Sequence, residues 1–426
     1  MDVIVNPLRS QWKALTERNI PDDPQVTAAV EAIISDVRQG GDEALRDMAL
    51  RFDRAAIEDL EVGEAEIDEA CKLVPDAVKE AIRAGADNIR RFHEAQMPEP
   101  VKVETMPGVM CIQRPVPIEK VGLYIPGGQA PLFSTVLMLA IPATIAGCRQ
   151  IILCTPQSGD RQIAPEILYA ARECGIHKVY RVGGAQAVAA MALGTQSVPK
   201  VHKIFGPGNR FVTKAKQMLA SEVSIDMPAG PSEVLVMADD TADAAFVASD
   251  MLSQAEHGPD SQAICVCTSE AIADAVREQV DAISAQLSRG TSIEKSLSHS
   301  RIIVMDGHDN MIDFVNEYAP EHLIISMEHP WDIADRITAA GSIFIGNYSP
   351  ESAGDYASGT NHTLPTNGWA HSFSGVNIDS FMRKITYQEL TRDGLGLLAP
   401  TIVTMAEAEG LDAHAMAVKI RMASED

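Results

Sequence analysis

Residues 121–148 carry no charged side chain. Such a run is long enough to cross a bilayer as a helix. It also contains Pro126, Gly127, Gly128, Pro131 and Pro142, which would break a spanning helix and free backbone polar groups in lipid. The stretch therefore reads as a buried strand, a glycine loop and a buried helix in a globular core. With 46% apolar residues but only 5% aromatic ones, that core rests on Ala, Val, Ile, Leu and Met. A chain of 426 residues has room for two or three domains.

The same strand–helix pattern recurs down the chain. The apolar runs VGLYI, IILC, KVYRV, HKIF and EVLVM alternate with helical stretches, and AICVC, RIIVM, HLIIS and SIFIG continue after Asp240. Short apolar strands separated by helices predict parallel sheets covered on both faces, here as two α/β units. Helices come first. Asp23 caps one, with Pro24 at its first position, Gly40 past its end and Val26, Val30, Ile33, Ile34 and Val37 as its apolar stripe. A second starts at Asp42 and a third covers about 65–93. Residues 351–366, rich in Gly, Ser, Thr and Asn, read as a functional loop, and the tail from about Met405 as helical.

Charge and cysteines narrow the partners. With 35 Lys plus Arg against 59 Asp plus Glu, the formal charge is −24, which repels nucleic acid and anionic lipid. Neither is expected as a partner. The seven cysteines, Cys71, Cys111, Cys148, Cys154, Cys174, Cys265 and Cys267, are odd in number and irregularly spaced. They read as reduced core residues of a cytoplasmic protein. Residues 1–6 show no basic leader pattern.

Several loops and polar clusters carry chemistry. Gly127-Gly128, Gly183-Gly184 and Gly206-Pro207-Gly208-Asn209 each follow a strand. Glycine there lets backbone approach a phosphate or ribose, at the strand ends where open parallel sheets bind ligands. Any one of them alone reads more readily as a tight turn into a helix; three at the strand ends of one unit are consistent with a nucleotide site. Gln254 and His257, three apart, share a face at a helix end and are competent metal ligands; a helix-terminal histidine serving the dipole is the plainer alternative. Glu321 and His322 are adjacent between a helix and a strand, a pairing suited to proton transfer from alcohol or water. Asp355 and His362 are ligand-capable residues of the 351–366 stretch, and Glu409 and His414 sit on a polar turn in the tail.

Together these segments resemble the histidinol dehydrogenase family. The resemblance rests on GLYIPGG, VGGAQA, IFGPGN, DMPAGPSEV, MLSQAEHGPDSQ, APEHL, ESAGDYASGTNH and AEAEGLDAH, and runs from about Gly40 to Arg421. It implies an α/β fold of two incomplete Rossmann-like parallel-sheet domains with N-terminal helices and a helical C-terminal tail in an intertwined homodimer. It implies a discontinuous domain of residues 1–123 plus 234–376, an inserted NAD-binding domain at 124–233, and a tail, 377–426, swapped onto the partner. The implied activity is zinc-dependent, NAD-linked, four-electron oxidation of L-histidinol through bound L-histidinal to L-histidine, the last step of histidine biosynthesis. One zinc per subunit would be held by Gln254, His257, Asp355 and His414. Substrate contacts would come from these four with Ser232, His322, His362 and Glu409. His322 would be the general base, Glu321 would activate water, and Tyr124, Gln186 and Asn209 would contact NAD. Glu409 and His414 would be supplied in trans. A paralogous zinc/NAD dehydrogenase of another small polar alcohol, a zinc hydrolase and a solute-binding protein are the competing readings.

Overall fold

The computed structural model describes all residues except 19–22, 128–130, 158, 160–161, 228–229 and 425–426; Gly128 of the first glycine loop lies outside the described residues. In chain order the strands are β1 (Asp2–Val5), β2 (Val101–Met106), β3 (Val109–Pro117), β4 (Lys120–Tyr124), β5 (Gln150–Thr155), β6 (Lys178–Arg181) and β7 (Lys203–Phe205). They continue as β8 (Ser224–Ile225), β9 (Glu233–Ala238), β10 (Gln262–Cys267), β11 (Arg301–Val304), β12 (His322–Ser326), β13 (Ser342–Ile345) and β14 (Met382–Leu390).

Two parallel sheets form, ordered β6-β5-β4-β7-β8 and β1-β11-β10-β9-β12-β13. Counted within each unit, both run third, second, first, fourth, fifth, with β1 added at one edge of the larger sheet. This doubly wound order parts the crossovers on either side of β4–β7 and of β9–β12. Every residue of β9 and β10 is buried, as strands covered on both faces must be. The uncharged stretch becomes β4 and the helix Phe133–Ala146, apolar all round and packed between the helices Asp76–Glu94 and Pro165–Glu173. Among the described residues no helix is long and apolar enough to cross a membrane.

Asp23 caps the helix Pro24–Gly40 through its carboxylate and the Gln25 N–H. That helix buries Val26, Val30 and Val37 against the helices Gly184–Leu193 and Arg210–Met218. The expected third helix is two, Glu64–Leu73 and Asp76–Glu94, because Pro75 forces the preceding Val74 to extended backbone. These two cover Pro165–Glu173 and Phe133–Ala146. Residues 24–94 therefore clothe the five-stranded sheet, and β4 runs across the expected boundary at 123/124. Of the first 123 residues, β1 pairs with β11 and the helix Arg9–Thr16 packs on His308–Tyr318. The contacts thus differ from the expected grouping of 1–123 with 234–376.

A third sheet, β14-β3-β2, is antiparallel and has no counterpart in the expected fold. Phe381, just before β14, stacks on Phe205 of β7 with ring centroids 4.0 Å apart and roots the tail in the five-stranded unit. Beyond it the helices Arg392–Ala408 and Asp412–Ala423 pack chiefly on each other. Helix thus begins well before Met405.

Candidate active site

Parallel pairing of β9 with β12 sets His322 opposite Val234. Glu233, Glu321 and His322 therefore meet at the amino edge of the larger sheet. The Glu321 Oε2 accepts a hydrogen bond from the Glu233 N–H at 2.9 Å and another from Gln254 Nε2 at 3.4 Å. The His322 Nδ1 lies 3.2 Å from the Glu233 carbonyl oxygen. Of its two neighbours, the Glu233 carbonyl at 3.2 Å and Gln254 Nε2 at 3.3 Å, the nearer carbonyl only accepts, so the proton is assigned to Nδ1, which leaves Nε2 a free lone pair. That Nε2 is buried, has no hydrogen-bond partner among the described residues and lies 3.7 Å from Asp355 Oδ1.

Burial dominates the electrostatics. It lowers the His322 pKa to about 4, against the raising pull of Asp355, so the ring is neutral at pH 7. It pushes the Glu321 and Glu351 carboxyls well above the usual range, Asp355 adding to both and the Glu233 N–H opposing the rise at Glu321. Asp250 is raised to about 6 by burial, offset in part by the Glu351 backbone N–H. Between its ordinary 3.8 and about 6 the folded chain holds a proton that the unfolded chain has lost, so stability falls as pH rises through that window. In metal-stripped protein, Asp250→Asn is expected to match the parent at about pH 3, below both values. Near pH 8 it should exceed it by on the order of 2 kcal/mol in urea unfolding; equal stability at both pH values refutes this.

Three acids, Glu321, Glu351 and Asp355, lie within 4 Å of one neutral histidine, a cluster that suits a cation. His257, Glu351 and Asp355 offer ligand atoms all within 4.8 Å of one another, and Gln254 Oε1 and Glu351 Oε1 are buried without a partner among the described residues. This donor set fits a divalent ion such as zinc. Gln254 closes the helix Ala244–Ala255, and His257 follows on a turn in which its N–H donates to the Gln254 carbonyl, so the three-residue spacing survives past the helix end. Asp355 lies on a short helix, Glu351–Tyr356, where loop was expected. His362 Nδ1 sits 3.0 Å from the Asp355 carbonyl, and its Nε2 3.3 Å from Thr135 Oγ1 on the helix that follows β4. This contact joins the acidic cluster to the five-stranded unit. Ser232 is half-buried beside Glu233.

The NAD candidates lie at the carboxyl edge of the smaller sheet. The Gly184 N–H donates to the Tyr124 hydroxyl at 3.1 Å. Gln186 is buried in the first turn after Gly184. Asn209 caps Arg210–Met218, its Oδ1 accepting from the Phe211 and Val212 N–H groups. At Gly206, φ is +127° and a Cβ would collide with the Tyr124 carbonyl, so glycine is required there by strand packing alone. The structure does not bring Glu409 or His414 to the cluster; both are exposed on the tail.

Four contributors escaped the sequence reading. Arg18 pairs with Glu233 at 2.8 Å and lies over the Tyr318 ring at 3.7 Å, fixing the residue whose backbone holds both Glu321 and His322. Asp250 and Glu351 complete the acidic set. An acid four residues before Asp355 on a helix was the available signal for Glu351.

Comparison with known proteins gives the family. The family model described as histidinol dehydrogenase matches residues 16–422. The histidinol dehydrogenase of Bacteroides fragilis (strain YCH46) is 53% identical over 423 residues, covering 99% of each chain. That of Vibrio vulnificus (strain CMCP6) is 54% identical over 417 residues, 97% of this chain and 96% of its own. A crystal structure of histidinol dehydrogenase from Elizabethkingia anophelis superposes with a TM-score of 0.97 at 49% identity, covering 99% of this chain and 98% of that one. On an almost end-to-end family match and relatives above half identity, the chain belongs to the histidinol dehydrogenase family.

Proposed function

We propose that the chain oxidises L-histidinol to L-histidine through bound L-histidinal, reducing two NAD in succession. In this reading it acts as a homodimer with one zinc per subunit, held by Gln254, His257, Asp355 and, from the partner subunit, His414. The zinc would anchor the substrate through its imidazole and amine nitrogens, and NAD would be the hydride acceptor at Tyr124, Gln186 and Asn209. Ser232, His362 and, from the partner, Glu409 would complete the substrate contacts.

The observation that carries the reading is the bare, buried Nε2 of a neutral His322 beside Glu321. Nε2 takes the hydroxyl proton of the alcohol as hydride leaves its carbon. An aldehyde is a poor hydride donor, so water must add first. Glu321 accepts the proton of that water. His322, having lost its first proton, takes the second from the gem-diol. Two proton transfers at one carbon account for two adjacent acceptors. Burial of the cluster keeps the aldehyde from bulk water between the steps.

Incubating zinc-loaded protein with L-histidinol and NAD tests the reading: two NADH per histidine are expected. NADH from other small alcohols only would transfer the activity to a paralogous dehydrogenase. Glu321→Gln separates the half-reactions. It should leave the first hydride transfer within about tenfold and slow the second by roughly 10²-fold or more. A burst of one NADH per site with trappable histidinal is then the readout; two NADH at the parental rate would refute the role of Glu321.

A further inference from the structure

We propose that Lys216 and Asp226, a buried ion pair, are positioning residues for NAD: together they fix the loop Gly206–Asn209 in the conformation that the cofactor meets. The inference rests on reading Tyr124, Gln186 and Asn209 as the NAD site.

Strand register builds the pair. β7 and β8 run parallel, with Ile204 opposite Ile225. Asp226, the first residue past β8, therefore reaches Gly206, the first past β7. Its Oδ2 accepts from the Gly206 N–H at 2.8 Å and its Oδ1 from the Met227 N–H at 2.7 Å. The helix Arg210–Met218 leaves the same loop, and Lys216 lies about two turns beyond its cap, Asn209. From there Lys216 Nζ donates to the Gly206 carbonyl oxygen at 3.0 Å and pairs with the Asp226 carboxylate. The N–H and the carbonyl of Gly206 are thus held one by each partner. On its other side a Cβ would lie 2.1 Å from the Tyr124 carbonyl oxygen, so the glycine is gripped between the ion pair and β4.

The two side chains are 5% and 2% exposed. Taking both charges out of water is unfavourable, and apolar residues of similar volume commonly serve stability as well or better. Apolar residues could not hold one glycine by both of its backbone groups. What the charges add is direction, applied where φ is +127° and the chain turns from β7 toward Asn209. A loop fixed before its ligand arrives has less conformational freedom to lose on binding. The pair therefore acts on NAD through the loop, as a contribution to affinity.

The test is NADH affinity of zinc-loaded, full-length protein by fluorescence titration, with KM for NAD and kcat measured beside it. Lys216→Met is expected to weaken binding by about tenfold and to raise KM for NAD more than it lowers kcat. Lys216→Arg keeps the charge and a donor and should recover most of the loss. Lys216→Met alone strands a buried carboxylate, which threatens folding. The double variant Lys216→Met/Asp226→Asn strands none; it should melt close to the parent and still bind NADH about tenfold more weakly. A pair that served stability alone would give parental affinity in that folded double variant, and this result overturns the proposal. Gln186→Ala reports on the NAD site itself. If it weakens NADH binding while the double variant does not, the site stands and the proposal fails. If neither changes affinity, the NAD site at this sheet edge falls, and the proposal with it.

Discussion

His322→Asn is expected to lower kcat for histidinol oxidation by roughly 10²–10⁴-fold, with zinc content and NAD affinity close to those of the parent. The ring is placed by what surrounds it. Its Nδ1–H is committed to the Glu233 carbonyl at 3.2 Å, and Glu233 is held from behind by Arg18. Only Nε2 is left to accept a proton. Burial lowers its basicity to a pKa of about 4, so the group is always available as an acceptor at neutral pH but is a weak one. Asp355, 3.7 Å from Nε2, favours the imidazolium as it forms. Asparagine offers no lone pair of comparable basicity there. Because the same nitrogen serves both half-reactions, stopped-flow NADH formation should be slow from histidinol and from histidinal alike. Glu321→Gln, in contrast, spares the first. A kcat within tenfold of the parent would remove His322 from the chemistry.

The parts legible in sequence were those with local causes. β9 and β10 are uniformly apolar because helices cover both faces of their sheet, and that composition announces a parallel sheet. Asp23 and Pro24 announce a helix start for equally local reasons. The β14–β3 ladder has no such signal: Met382 pairs with Pro117 and Leu390 with Val109, partners far apart in the chain and mostly exposed on β14. Nor does the stripe Val26, Val30 and Val37 say which sheet it will cover. At the site, residue types and spacings marked Gln254, His257, Glu321, His322 and Asp355 as chemically competent, while their roles came from family resemblance. Their convergence is a product of strand register, which brings residue 233 beside 322. Glu351 was hidden because a Gly- and Ser-rich segment reads as loop, whereas residues 351–356 form a helical turn and a half.

Mixing two inactive variants, His322→Asn and His414→Ala, and letting their subunits exchange is expected to restore up to about a quarter of the parental activity. Free exchange gives about half heterodimers. If each site takes His322 from one chain and His414 from the other, a heterodimer gathers both lesions in one site and leaves the other whole. The structure supplies the motive for trans assembly. Glu409 and His414 are exposed and follow Asp355 by more than fifty residues in the sequence, on or beside helices that pack chiefly on each other. Those helices leave Leu397, Met405, Leu411, Met416 and Ile420 exposed at 52%, 60%, 42%, 52% and 61%. So many apolar side chains on two neighbouring helices suit a surface for another chain to cover. Restoration is specific to the trans arrangement: with both residues supplied by one chain, each site in the mixture keeps one lesion and activity stays at the level of the separate variants. An active His414→Ala protein would show that the tail histidine is dispensable, and the exchange experiment distinguishes that case because the starting variant is then not inactive.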